Sequence, residues 1–567
     1  MTKFKYIILG AAVALVSLSS CKDFLDKVPD TRVYLTTIDQ LQDLLTTSYT
    51  TNNYALVCEL SSDNMIDNNS PSSDGVRYNL SPYNRADDQI FAWEDVTLDV
   101  GGEDMPSDIW SRCYGAIAGA NAVLERAEQF ETEGIDGVAL SNEDKTHLDA
   151  VKGEAYLIRA FHHFILANVF CMPYRGPELS QKELGIPYIT EPEVTVKPHY
   201  ERPTLQYTYE MIESDLQNGL KYVSDQYYEA PKYHFNEASA YAFAARFYLF
   251  KREYEKVVNY ATAAFKGNDP MLMLNDIWGK SEQFYYIDEI GRYYNAVLRP
   301  CNLQVFTTYS IWLRHAYAQR YGCLRDGAGA TIFGPGPSWE SSPYTNHAMP
   351  AYINFLIGST SYGLLFCGTC NELFEYSDKL AGIGYAHEVR TEFTTEECLL
   401  MRAEANLFLG NIDACVSDLA IWNHEHITPE AANYGHTELT QDQILKFYNK
   451  NPGYGIKKDI HIDEVLPCEY TLTPEMLPYM QCIQHFRRIQ MVHMGMRWFD
   501  IKRLGLSITH KIGRTDSKTL EVLDPRYAIQ IPSEVITAGM ESNPRNPVVP
   551  FSTKRVDSES LIVPTNN

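Results

Sequence analysis

The chain has 567 residues, with 48 Lys and Arg against 73 Asp and Glu, a formal net charge of −25 at pH 7. A field of that sign disfavours nucleic acid as a partner and adhesion to an anionic membrane surface. The length exceeds one typical core, so two or more packed units are expected.

Lys3 and Lys5 open the chain, and Ile7 to Leu18 is apolar. That run is shorter than the ~20 residues a membrane-spanning helix needs. The small residues Ser19 and Ser20 then lead into Cys21. This is the layout of a secretory signal, not of a transmembrane helix. Leu18-Ser19-Ser20-Cys21 resembles the bacterial lipobox, in which the Cys becomes the new N-terminus and carries acyl chains. Several chains on one residue anchor stably, at ~0.8 kcal/mol per buried CH₂. Residues 1–20 are therefore expected to be a signal peptide and Cys21 the lipidation site. Their removal leaves 46 basic groups against 73 acidic, a net charge of −27. No later stretch is long and apolar enough to cross a membrane.

Leu41, Leu44, Leu45 and Ser48 fall at helical spacing and predict a short helix. Asn52 to Gly102 is rich in Asn, Ser, Asp, Pro and Gly and reads as a long irregular excursion, of the kind that is usually functional. Helical periodicity follows. Trp110, Tyr114, Ile117, Asn121 and Leu124 form one stripe. The next helix runs roughly from Thr146 to Phe170 and stops before Pro173, Gly176 and Pro177. Leu205, Tyr209, Ile212, Leu216 and Leu220 make a third amphipathic face.

Two helix pairs repeat one pattern. Tyr241, Ala244, Ala245 and Tyr248 are followed by Val257, Ala261 and Ala264. Leu400, Ala403, Glu404 and Leu407 are followed by Val416 and Ala420. The offsets agree: three, four and seven within the first helix, then nine and thirteen from its last marker. Small residues at the crossing let two antiparallel helices approach closely. The pattern resembles the tetratricopeptide helix–turn–helix unit, which must stack to bury its apolar face. Between the pairs, Asn268 to Glu372 is broken by Asp326-Gly327, Gly334-Pro335-Gly336-Pro337 and Ser341-Ser342-Pro343. A second loop-rich stretch runs from Tyr434 to Pro478.

Eleven cysteines remain after Cys21, irregularly spaced and odd in number. They do not form a disulfide framework, and free buried thiols are expected. Cys367 and Cys370 are the one close pair. Metal signals are weak: His162 and His163 point to different sides of a helix, and so do His424 and His426. The acidic runs Asp99 to Asp104 and Asp459 to Glu464 match no calcium-loop pattern and read as solvated. No metal or cofactor is expected. No nucleophile elbow, zinc-protease helix or phosphate-binding glycine loop appears. A glycoside hydrolase would need two carboxylates about 5–10 Å apart, one with a raised pKa, which a sequence cannot display.

Five stretches, with one more near the end, now carry a resemblance. They are Cys21-Lys-Asp-Phe-Leu-Asp26; Trp110, Tyr114, Ile117 and Asn121; Glu154-Ala155 with Arg159-Ala160 and Phe164; Leu400-Met-Arg-Ala-Glu404-Ala405; and Arg497-Trp498-Phe499-Asp500-Ile501-Lys502-Arg503-Leu504-Gly505, with Ile531-Pro532-Ser533-Glu534. Together they resemble the SusD/RagB family of outer-membrane nutrient-binding lipoproteins of Bacteroidetes. The resemblance implies an all-α fold, a scaffold of four tetratricopeptide-like units with large irregular loop insertions. It implies a partner, a SusC-type TonB-dependent β-barrel importer on which such proteins sit as a lid. The implied ligand is an oligosaccharide or polysaccharide; some relatives handle peptides. It implies no catalysis.

The expected organisation is a signal peptide at 1–20, an N-terminal SusD-like region at 21–225, helix pairs at 226–270 and 395–425, a loop-rich ligand-binding insertion at 271–394 and a C-terminal region at 426–567. Within the Arg497–Gly505 signature, Arg497 and Asp500 are three apart and share a helical face, which suggests internal ion pairs. Glu154 and Arg159 are five apart and are expected to reach neighbouring helices. Trp110 and Trp498 belong to the core.

Aromatics in Gly/Pro-rich loops owe nothing to helix periodicity, and pyranose rings stack on such faces. Trp93, Trp278, Trp312, Trp339 and Tyr344 are therefore the candidate platform. Asp63 and Asn64, in a Ser-Asp-Asn stretch resembling the family's, are the candidate polar partners.

Overall fold

A computed structural model describes residues 35–49, 51–71, 78–98, 102–193, 199–277, 286–316, 320–322, 332, 335–339, 356–357, 365–366, 368–369, 371–426, 438–450 and 455–545. Helices dominate: α1 (Ile38–Thr46), α2 (Ala55–Ser61), α3 (Arg85–Phe91), α4 (Pro106–Glu133), α5 (Asn142–Phe170), α6 (Leu205–Tyr222), α7 (Glu237–Lys251), α8 (Tyr254–Ala264), α9 (Thr395–Phe408), α10 (Ile412–His426), α11 (Gln441–Asn449), α12 (Leu477–Gln490) and α13 (Met496–Leu504). None of the described helices is long and apolar enough to cross a membrane. Local chemistry sets their starts. Pro106 opens α4, where a missing N–H leaves no bond unmade, and a Ser141–Asp144 capping box opens α5. The expected excursion from Asn52 to Gly102 thus contains two helices, α2 and α3.

The long helices α4, α5 and α6 form the N-terminal layer. Close approach of α5 and α6 depends on glycine: a Cβ on Gly219 would sit 2.5 Å from Leu157 Cγ, and one on Gly153 2.6 Å from the Val223 nitrogen. Arg159 of α5 crosses to Asp215 of α6 with bonds of 2.6 and 2.7 Å, and to Asn121 of α4 at 2.9 Å. Glu154 accepts from the Tyr49 and Tyr228 hydroxyls at 2.7 and 2.9 Å. Both residues reach other elements, as the five-residue spacing indicated.

The helix pairs α7–α8 and α9–α10 stack on each other. Tyr254, first in α8, lies parallel to Phe408, last in α9, with ring centres 4.6 Å apart. The alanines that mark the repeat, Ala244, Ala245, Ala261 and Ala264 in the first pair, are fully buried. The turn in the second pair uses Gly410 at φ 79°; the first uses Arg252 at φ 57°. A left-handed arginine is unfavourable, but its guanidinium donates to the Leu466 carbonyl at 2.7 Å and pairs with Asp463 at 2.9 Å.

The insertion expected to be loop-rich holds a three-stranded antiparallel sheet. Its strands are β1 (Asn302–Thr308), β2 (Leu373–Asp378) and β3 (Ile383–Thr394), in the order β1-β3-β2. β3 runs from solvent at Ile383 into the core and continues directly into α9. On its inner half Glu388, Arg390 and Glu392 share one face. Arg246 of α7 donates to Glu392 at 2.6 Å and to Glu397 of α9 at 2.8 and 2.7 Å. Arg390 donates to Glu392 at 2.9 Å, to Asn53 at 2.7 Å and to the Met494 carbonyl at 2.9 Å. The Tyr54 hydroxyl completes Glu392 at 2.8 Å. Burial alone would raise the Glu392 pKa, but Arg390 and Arg246 hold it below the ordinary carboxylate value.

Removing one member of a buried ion pair strands the others, at a cost of about 3–5 kcal/mol. Arg246→Met should therefore lower unfolding stability by about that amount, read from urea denaturation at pH 7. A midpoint equal to wild type would mean that the network does not hold the fold.

Candidate functional site

A cleft of about 900 Å³ lies between the end of α1, the outer face of α4 and the short C-terminal helix Ser533–Thr537. Its walls include Thr47, Thr51, Ser107, Ser111, the ion pair Asp108–Arg112, and Glu534. Ser107, Ser111 and Gly115 follow one another at four-residue steps, so α4 presents small side chains and hydroxyls along one face. A Cβ on Gly115 would meet open space, whereas one on Gly119 would lie 2.2 Å from Ser48 Oγ. The close crossing at Gly119 sets α1 against α4, and the cleft widens towards Gly115.

Aromatic rings border Arg112. Its guanidinium lies 5.8 Å from the Tyr309 ring centre, and Tyr309 meets Tyr385 edge-on at 4.8 Å. Tyr309 donates its N–H to the carbonyl of Thr51 at 2.7 Å, which ties the ring to the cleft wall. Tyr385 stands on the outer half of β3 opposite Glu375 of β2, and the two side chains are hydrogen-bonded. Arg112 is half-exposed at 49%, so its donors are open to a ligand. On the other sheet face Phe374 and Tyr376 are exposed and meet at 4.9 Å.

Behind Tyr309 sit two buried acids. Asp104, at φ 63°, accepts the Ile311 N–H at 2.8 Å and the Ser310 hydroxyl at 3.2 Å, so it holds the turn after Tyr309. Burial and the nearby Glu388 carboxyl push its pKa well above the ordinary range. Glu388 accepts from Asn53 Nδ2 and from the Thr308 hydroxyl. Burial pushes its carboxyl up to about 7, against the pull of Arg390.

The expected site residues fare differently. Trp93, Trp312 and Trp339 are buried, at 6%, 1% and 2% exposure, and this corrects their assignment to a ligand platform. Trp93 donates its indole N–H to Ser61 O at 2.9 Å and stacks on His510 at 4.1 Å. Trp312 packs edge-on against His493 at 5.1 Å. Trp339 covers Gly336 and lies 5.8 Å from Phe486. Each indole packs into the helical body, where large rings gain most by burial.

Asp63 and Asn64, the expected polar partners of a ligand, are bonded to arginines of the C-terminal helices. Asp63 takes a two-pronged bond from Arg497 at 2.7 and 3.1 Å, and Asn64 accepts from Arg488 at 2.8 Å. Burial would raise the Asp63 pKa, but Arg488, Arg497 and Lys458 hold it well below the usual carboxylate range. Arg497 therefore does not bond Asp500 within its helix. Asp500 bonds Arg503 at 2.7 Å and Arg487 of α12 at 3.0 Å.

Cys21, Trp278, Tyr344, Cys367 and Cys370 lie outside the described residues. His162 and His163 each bond a carbonyl of their own helix. Among the described residues no group of three His, Cys, Asp or Glu could hold a metal. None of the described cysteines forms a disulfide, and all but Cys468 are buried.

The signal for the cleft was faint in the sequence. Its α4 wall is Ser107, Ser111 and Gly115 beside the Asp108–Arg112 pair, residues that periodicity assigns to a solvated face. Tyr309 lies just beyond the end of β1, and Tyr385 sits in β3, whose buried charges hid it.

With this geometry in hand, comparison with known proteins is specific. Residues 23–249 match a family model, SusD-like, described as starch-binding and associating with the outer membrane. No curated protein matches the chain. A SusD superfamily protein from Bacteroides thetaiotaomicron is 18% identical, covers 90% of this chain and 100% of its own, and superposes with a TM-score of 0.54. One from Bacteroides fragilis is 16% identical over 89% of this chain and 98% of its own, with a TM-score of 0.59. A SusD-like carbohydrate-binding protein from Bacteroides vulgatus is 13% identical over 88% and 96%, with a TM-score of 0.52. The fold is the all-α helical-repeat architecture of these structures. Over residues 23–249 the chain is similar to the SusD-like family, and its fold is that of the SusD superfamily structures.

Glu388 gives the site a pH signature. Its folded pKa of about 7 lies above the unfolded value of ~4.3. Its stabilisation is therefore complete below pH ~4.3 and is lost as pH rises through 7. Glu388→Gln mimics the protonated acid and should raise stability at pH 8 by about 1–3 kcal/mol, with little change at pH 4.5. Urea midpoints at the two pH values measure this; an unaltered pH slope in the variant would refute the assignment.

Proposed function

We propose that the protein is a non-catalytic outer-membrane lipoprotein that binds an oligosaccharide or polysaccharide in the α1–α4 cleft. In this reading Cys21 carries the lipid, and the bound glycan passes to a SusC-type TonB-dependent β-barrel importer. The observation that carries the reading is the cleft itself: hydroxyl and ion-pair donors and acceptors along one wall, ending at the Tyr309–Tyr385 pair. Sugar hydroxyls need that mixture, and a pyranose C–H face needs a flat ring. The starch-binding description of the matching family and the carbohydrate-binding description of one structural neighbour support the same ligand class. Anchoring beside an importer would save the glycan a second search, since a tethered site raises its effective concentration.

Affinity electrophoresis in gels containing candidate polysaccharides tests the reading, with chromatography of the recovered glycan. The protein should be retarded by at least one polysaccharide and leave its chain length unchanged. Shortened products would instead favour a glycoside hydrolase. Arg112→Ala and Tyr309→Ala should each weaken binding about tenfold, or ~1.4 kcal/mol. Wild-type retardation in both variants would move the site elsewhere.

A further inference from the structure

Where the Ser62–Asn64 stretch meets α12 and α13, three cations converge on Asp63, with the carboxyls of Glu59 and Asp500 close by. Asp63 faces Arg497 at 2.7 Å, Lys458 at 3.2 Å and Arg488 at 3.5 Å. Beside this cluster is a small enclosed cavity of about 10 Å³. That is room for a single atom-sized guest. Apolar Ile456 lines it together with Lys458, Gln481, Gln484, His485, Arg488 and Arg497. Asp63 stands behind the arginines and is not part of the lining.

The walls are rich in donors. The Gln484 side-chain oxygen accepts from Arg497 Nη1 at 3.1 Å, which turns its amide nitrogen the other way. That Nε2 is buried and has no hydrogen-bond partner, on a residue only 5% exposed. Gln481 spends its amide on Lys458, accepting from the backbone N–H at 3.2 Å and donating to the carbonyl at 2.5 Å. The ammonium-bearing segment is thereby held against the cavity.

We propose that this cavity is a site for one monoatomic anion, a halide, held by the Gln484 amide N–H and the surrounding ammonium and guanidinium groups. A water molecule carries two protons that each need an acceptor, whereas Gln484 Nε2 on this wall is an unspent donor. A halide accepts from several donors at once and carries no proton that needs an acceptor. Phosphate, sulfate and carboxylate ligands exceed the space. The site shares no lining residue with the glycan cleft. Its occupant would pin the N-terminal segment to the two C-terminal helices.

Crystals of the acyl-free protein soaked in sodium bromide, with data collected at the bromine edge, give the direct test. We expect an anomalous peak in the cavity beside Gln484 Nε2. In parallel, the thermal midpoint should rise saturably by a few degrees in sodium chloride relative to sodium isethionate at equal ionic strength. Gln484→Glu, which places a carboxylate in the cavity, should lose that dependence. A cavity without an anomalous peak, with wild-type melting alike in the two salts, would overturn the proposal whether or not the variant folds.

Discussion

Glu392 is the point through which the fold is fastened. It lies in the core on β3, and it receives Arg246 from the first helix pair, Arg390 from its own strand and Tyr54 from the N-terminal segment. Arg246 carries the connection onward to Glu397 in the first turn of α9, the second pair. One guanidinium thus joins two repeats and the strand between them. Buried charge is costly to desolvate, and apolar residues of the same volume could match it in stability. What an ion network adds is direction: a carboxylate with three donors admits only one register of β3 against its neighbours.

That register places the site. With Glu392 fixed, Glu388 four residues earlier falls beside Asn53 and Thr308, and Tyr385 three residues before that emerges at the surface beside Tyr309. Asp104 holds the following turn from the other side. The cleft wall is built independently, by a run of small residues on α4 that lets α1 cross closely at Gly119. The two constructions meet where Tyr309 bonds the Thr51 carbonyl. A polar cleft with rings at one end offers a sugar both hydrogen-bonding groups and flat apolar faces.

The helical body was legible because its signals are periodic. The stripes at Trp110 and Leu205 and the matched offsets of the two pairs predicted α4, α6 and the repeat helices, and Arg159 reached across to Asp215 as its spacing required. The sheet was not legible. The inner half of β3 reads Glu-Val-Arg-Thr-Glu, and charges at alternate positions argue for an exposed edge; only the partners from α7 and the N-terminal segment make them a core. The tryptophans misled for the converse reason. Gly/Pro-rich surroundings break periodicity, but they also let a loop turn back sharply and bury its indole. Asp63 and Asn64 lay in a loop-like stretch, yet their partners, Arg488 and Arg497, stand more than four hundred residues away in sequence. Similarity at 13–18% identity to SusD-like structures carries the fold; a site's chemistry has to be argued from its own residues.

The central claim is that glycan sits in the α1–α4 cleft against Tyr309 and Tyr385. A crystal structure of the protein soaked with an oligosaccharide that retards it in gels tests this most directly. The account predicts sugar density along Ser107, Ser111 and Arg112 with one ring against the tyrosine pair. Ordered sugar only on the Phe374–Tyr376 face of the sheet, with the cleft holding solvent alone, would contradict it.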